Sequence, residues 1–486
     1  MNGELPVLQL TAGGVTALAD RIASIDLTGE GPPAVPWGTT VSQEALASAI
    51  DSGAPAMPLV YHDAYIAPLQ QNLARIVAAT PEGSTDPAET LTGAVYDHAP
   101  GSEVAAPLRR FLAVVGDLYE SFLADAKRRR LGISLSEQLP PLAMFRHDGS
   151  LGPYTYPVDA VYAMLGAEVG VVSVPSTYRH HPLLWGALAH ETGGHDVIHA
   201  DAGLLEEMQN VVASLFATYA STFGGTDTAN LVSALWQHWM DEAAADVYGT
   251  LNLGPAFALS FTPWLMGFRY RLGQTPVPAL LTNSIAGSDG AIDVHPPDLL
   301  RLDLASGVLL SLRELQPLTR YAYWQLLQEL DAMSAGDTQT VTVRGNLAQQ
   351  GGGTMPIDAA VPLWVMRASA AMVGSVLTTY PMQALAGRSI QDLETWSDAD
   401  EAAAQRICIR ALNGQSIDAM GDVAQVISGT TMAAVIAPER YDAITATLAA
   451  GLDAAVAADA LWAGAGVRLT HVAALLSAGD ARATEG

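Results

Sequence analysis

One cysteine, Cys408, and one lysine, Lys127, occur in 486 residues. A lone cysteine excludes an intramolecular disulfide framework and any CxxC zinc or redox motif. Positive charge is scarce in general: 23 Lys and Arg stand against 50 Asp and Glu, a formal net charge of −27. That excess favours solubility and argues against nucleic acid or anionic lipid as a partner, since both need a basic surface. Every long apolar run is interrupted by charge, glycine or proline before it reaches membrane-spanning length. The opening MNGELPVLQLTAGG has neither the basic start nor the long apolar stretch of a signal peptide. The expectation is a cytoplasmic protein with no membrane partner.

Apolar residues, by contrast, make up 50% of the chain, enough for a sizeable core and too many for disorder. VSQEALASAI, LQQNLARIVAAT and LRRFLAVVGDLYESFLADAKRRRLG repeat apolar residues at three- and four-residue steps and predict helices. The KRRR at 127–130 reads as cations closing the last of these helices, where they complement its dipole. EVGVVSVP (168–175) is β-branched, alternating and closed by proline, and predicts a strand. It could be an interior strand or an edge able to bind an extended peptide. LLWGALAHE predicts a helix, and NLVSALWQHWMDEAAADVYGTLNLG a second one. The polar, glycine-rich AGDTQTVTVRGNLAQQGGGTMP (335–356) is the candidate linker, with Ala-rich amphipathic helices beyond it. The expected architecture is α+β and predominantly helical. A helical region at 1–140 and another at 336–486 flank a core at 141–335 that carries the chemistry.

Five of the eleven histidines, His180, His181, His190, His195 and His199, fall within twenty residues of one another. His190 and His195 belong to HETGGH, five apart rather than the four of HExxH. At about 100° per residue, positions four apart on an α-helix differ by roughly 40°, and positions five apart by about 140°. A regular helix would send the two rings to different faces. One π-bulge absorbs the extra residue and restores a common face, and Gly193 and Gly194 tolerate the altered backbone. His195 and His199, four apart in HDVIH, form a competing pair that needs no bulge, with Asp196 in place of the glutamate. His180 and His181 precede Pro182 and read as loop residues.

A catalytic zinc needs three protein ligands and an open position for water. DEAAAD (241–246) offers the third: Glu242 and Asp246 lie four apart on one face of an apolar helix, and three alanines between them permit close approach. Glu242 is the candidate ligand. Asp246 is placed to accept a hydrogen bond from a ligand histidine and fix its tautomer. Glu191 is the candidate general base for a metal-bound water. His295, in DVHPPDLLRL, is the leading candidate for steadying a tetrahedral oxyanion, ahead of Arg301, Tyr248, Tyr321 and Tyr323. Cys408, in RICIRAL, lies on an apolar helix face and reads as a buried thiol.

HETGGH with DEAAAD downstream resembles the gluzincin zinc metallopeptidases, in the HExxxH form similar to the dipeptidyl peptidase III family. The resemblance implies a zincin-like core, with a small sheet, an active-site helix and a glutamate helix. It implies one Zn2+ per chain on His190, His195 and Glu242, with Glu191 as base and Asp246 behind a ligand. The implied activity is zinc-dependent hydrolysis of peptide or amide bonds. The flanks look unlike that family, so dipeptide removal is not part of the expectation. The alternative is a catalytically inactive zincin-like helical protein acting as a binding module.

Overall fold

A computed structural model of the chain describes residues 6–25, 41–82, 84–123, 139–146, 152–286, 290–348, 353–418, 420–458 and 460–463. The described residues are predominantly helical, with two three-stranded sheets. None of their helices is long and apolar enough to cross a membrane. The 127–130 run expected to close a helix lies outside the described residues; the helix before it is described as Ala105–Leu123.

The first sheet consists of β1 (Leu142–Arg146), β2 (Tyr154–Tyr156) and β3 (Val171–Pro175), in the order β1-β3-β2. β3 runs parallel to β1 and antiparallel to β2. Successive side chains of a strand point to opposite faces, and here each face meets a different core. Leu142, Met144 and Val171 pack into a cluster with the helices between residues 46 and 96. Ala143, Phe145, Val172 and Val174 join the main core, which draws residues from Leu10 to Leu452. A strand buried on both faces reads as a continuous apolar run, and β3 does. It is the central strand, so the possibility that it offers a free edge to a peptide is corrected: β1 and β2 are the edges.

The predicted helix LLWGALAHE is more broken than its periodicity implies. It starts as a 3-10 turn, Pro182–Ala187, becomes α-helical at Leu188–His190, and passes into a π-helical turn at Glu191–Asp196 before Val197–Ala200. The predicted helix over 230–254 is two helices, Thr226–His238 and Met240–Leu253, parted at Trp239. LQQNLARIVAAT is likewise divided, at Asn72. In Met240–Leu253 every residue but Asp241 is buried. Gly194 of the π turn lies against this helix so closely that a Cβ would stand 2.4 Å from both Cα and Cβ of Ala245. The alanines and the glycine therefore bring the two backbones together, and that contact, more than any special dihedral, explains Gly194.

The second sheet corrects the linker expectation. The described residues of 335–356 are not a spacer but mostly paired strand. β5 (Thr340–Ala348) and β6 (Thr354–Pro362) pair antiparallel along nine registered positions, and β4 (Ser284–Ile285) runs parallel to β5. Alternation of Val341, Val343 and Leu347 inward with Thr342 and Arg344 outward is the period-two pattern of a half-buried strand. Beyond it the Ala-rich segment is helical as expected, including Leu363–Thr379, Asp398–Leu412 and Val423–Ile436. Cys408 is buried there, and burial pushes its thiol up to about 12.

Candidate metal centre

The π turn places His190 and His195 on one face. Their Nε2 atoms lie 3.2 Å apart. Glu242, from the helix Met240–Leu253, brings Oε2 to 3.1 Å from His190 Nε2 and Oε1 to 3.5 Å from His195 Nε2. One donor atom from each of the three residues lies within 4.8 Å of the others, a buried cluster able to hold a metal ion. Fit can be judged from the edges of this triangle. A tetrahedral ion with bonds of ~2.0–2.2 Å to nitrogen and oxygen needs donors about 3.3–3.6 Å apart. The His190–His195 and His190–Glu242 Oε2 separations are close to that, and the other oxygen of the same carboxylate, Oε1, is the one at 3.5 Å from His195.

Each histidine is oriented by a carboxylate on its other nitrogen. Asp246 Oδ1 lies 2.9 Å from His190 Nδ1, and Asp241 Oδ1 lies 3.0 Å from His195 Nδ1. Such contacts fix ring rotation and leave Nε2 free for a metal. The glutamate helix thus supplies Glu242 and both orienting carboxylates. Asp241 escaped the sequence reading, although it adjoins Glu242. His190 is held further by Phe261, whose ring stacks on it at 5.2 Å.

His199 does not join the cluster. Its Nε2 is 3.3 Å from Asp241 Oδ2 and its Nδ1 is 3.0 Å from Asp159 Oδ2. Asp241 therefore bridges two histidines. Asp196, of the competing HDVIH reading, faces away: Oδ1 accepts the Val158 backbone N–H at 3.0 Å. Gly170 makes room for it, since a Cβ there would fall 2.1 Å from that oxygen.

Glu191 is buried, and its Oε2 accepts a 2.7 Å hydrogen bond from Thr155 Oγ1. Thr155 is the inward-facing residue of β2, so the small sheet fixes the glutamate. Sequence reasoning missed Thr155, because a single threonine carries no pattern of its own.

His295 reaches the cluster, with Nε2 3.3 Å from Glu242 Oε1 and 42% of its side chain exposed. Asp293 Oδ1 aims the ring through Nδ1 at 2.7 Å and accepts the His295 backbone N–H at 3.0 Å. The loop bearing it is tied down from several directions. Trp239 Nε1 donates to Asp293 O at 3.0 Å, His238 Nε2 donates to Ile292 O at 3.2 Å, and the Ile292 N–H donates to Asn346 O of β5 at 3.1 Å. The hairpin expected as a linker thus helps to present His295. No side chain caps the following helix, Asp298–Ser311.

The weaker oxyanion candidates lie elsewhere. Tyr248 packs edge-on against Phe122 in the core, Tyr323 donates to Glu401 at 2.9 Å, and Tyr321 stacks on Trp324. Arg301 is at the site, but behind it. Its guanidinium meets Asp246 through Nε at 2.7 Å and Nη2 at 2.9 Å, and only 5% of its side chain is exposed.

Electrostatics follow from these contacts. Burial by itself would push the Glu242 carboxyl up, but His295, His195 and His190 together hold it well below the carboxylate range. Burial opposes protonation of His195, yet Glu242, Asp241 and Glu191 outweigh it and raise the imidazole to about 9. His199 is likewise raised to about 9, burial being overcome by Asp241 and Asp159. A group raised above its ordinary 6.5 contributes stability that is complete below that pH and lost as pH climbs through the folded value. The metal-free protein is therefore expected to melt progressively lower between pH 6.5 and 9, with His199→Gln flattening the slope. Metal must displace the His195 proton, so its affinity should rise across the same window. Calorimetry on chelated and loaded protein reads both trends; a melting temperature flat with pH in the metal-free form would refute the first.

Comparison with protein-family models, curated proteins and solved structures finds no match to this chain in any of the three.

Proposed function

We propose that the protein is a zinc-dependent hydrolase of peptide or amide bonds, built on a zincin-like core of the gluzincin type. The observation that carries this reading is the cluster of His190, His195 and Glu242, with one donor atom from each within 4.8 Å of the others and the buried Glu191 next to His190 in the chain. Two imidazoles and one carboxylate are a donor set of catalytic zinc, which leaves a position for water. When bound, zinc lowers the pKa of that water and polarises the scissile carbonyl.

The remaining work belongs to this chain's side chains. Thr155 holds Glu191 so that its carboxylate can take the proton of the attacking water and later give it to the leaving amine. Asp246 and Asp241 keep both ligand rings turned with Nε2 toward the metal position. Asp293 fixes His295 by its Nδ1, leaving Nε2 to donate to the oxygen that gains charge. An oxyanion donor acts mainly in the transition state. His295→Ala should therefore cut kcat by roughly a hundredfold or more, with KM and zinc content nearly unchanged. Ordinary turnover with a lowered melting temperature would make His295 a structural residue. A catalytically inactive binding module would have no use for a base beside the metal position. Metal analysis of purified protein together with a peptide-library cleavage assay tests the proposal: one zinc per chain and cleavage support it, and a metal-free, inert protein removes it.

A further inference from the structure

Arg301 puts a permanent cation where a divalent ion would be its neighbour. Besides its paired contacts to Asp246, its Nη2 lies 3.5 Å from Glu242 Oε2, and 3.2 and 3.5 Å from His190 Nδ1 and Nε2. Its Cζ stands 4.6 Å over the Phe261 ring, the same ring that stacks on His190. Asp298, which also faces it, is already paired with Arg269 at 2.8 and 2.9 Å. The arginine is thus committed to Asp246 and Glu242. Two carboxylates beside one guanidinium still leave a net negative charge, which the neighbouring histidines share; without the guanidinium the two buried carboxylates would have histidine partners alone. Adding a doubly charged ion reverses the balance, since a buried cation a few ångströms away repels it with little screening.

We propose, on the basis that this cluster is a metal centre, that Arg301 is a built-in cation. It balances the carboxylates while no metal is held and opposes the metal once it enters. The metal-free chain then stays folded, and the metal stays exchangeable. A residue that only braced Asp246 would have the opposite effect on affinity, because losing it would loosen His190 and weaken binding.

Zinc affinity measured by competition with a chromophoric chelator separates the two roles without any activity assay. Arg301→Met should bind zinc about tenfold or more tightly than wild type, while its metal-free form melts lower and is rescued by zinc. Arg301→Lys, which keeps the charge but not the paired geometry, should stay within about threefold of wild type. Equal or weaker binding by Arg301→Met, with an unchanged circular dichroism spectrum, overturns the proposal. Should Arg301→Met fold only with zinc, the rate of zinc loss to excess chelator is read instead: slower than wild type supports the proposal and faster overturns it. Zinc uptake by wild type with no gain in the variant removes this role for Arg301 alone. Failure of both proteins to take zinc removes the metal centre with it.

Discussion

Glu191→Gln is expected to bind zinc with wild-type stoichiometry and to lose hydrolysis by roughly a thousandfold. The amide has nearly the shape of the carboxylate, and its oxygen can still accept from Thr155 Oγ1, so the buried position should stay filled and bonded. What it lacks is a basic oxygen to take the proton of the attacking water. Removing a general base typically costs two to four orders of magnitude, about 10²–10⁴ in rate. Metal content by elemental analysis and turnover on a cleaved library peptide are to be measured on the same preparation. A fully active variant would take Glu191 out of the mechanism and favour a binding role for the metal centre.

His190→Ala and Glu242→Ala are each expected to empty the site, with zinc affinity falling by more than about a hundredfold. Loss of a group that merely orients a ligand already costs about 10–100-fold, and loss of a ligand removes a bond outright. Glu242→Ala also strips one carboxylate from beside Arg301 and His295. Glu242→Gln, which preserves volume, therefore serves as the folding control. His199→Ala should retain zinc, since among the described residues its ring bonds to Asp241 and Asp159 rather than to the cluster. Its removal leaves Asp241 on His195, and a modest drop in affinity is all that follows. Were His199→Ala alone to empty the site, the ligand pair would be His195 and His199, with the π turn irrelevant to metal.

The π turn at Glu191–Asp196 shows how a local anomaly can be read before any tertiary contact is known. Two histidines five apart must share a face to share a metal, and helix geometry offers one inexpensive device for that. Within it, Gly194 was legible only as a tolerant residue. A Cβ there would stand 2.4 Å from Ala245, and that residue belongs to a helix some fifty positions away. The break at Trp239 left no mark at all: there is no proline or glycine at the junction, and the apolar pattern runs through it. The indole bonds to Asp293 O, so the interruption belongs to the loop that carries His295.

By itself the sequence determined the helical majority, a strand within 168–175, the histidine face and the carboxylates four apart on a buried helix. All of these are periodicities or spacings within one element, set by backbone geometry common to every chain. Tertiary structure alone decided that Thr340–Ala348 pairs with Thr354–Pro362 and supports the His295 loop, that Thr155 holds Glu191, that Asp241 joins His195 to His199, and that Arg301 lies behind the site. The side-chain contacts among these join residues 36 to 55 positions apart. No local pattern encodes such pairs, because what selects them is the burial of charge: a carboxylate inside a packed core takes whichever partner the folded chain brings within reach.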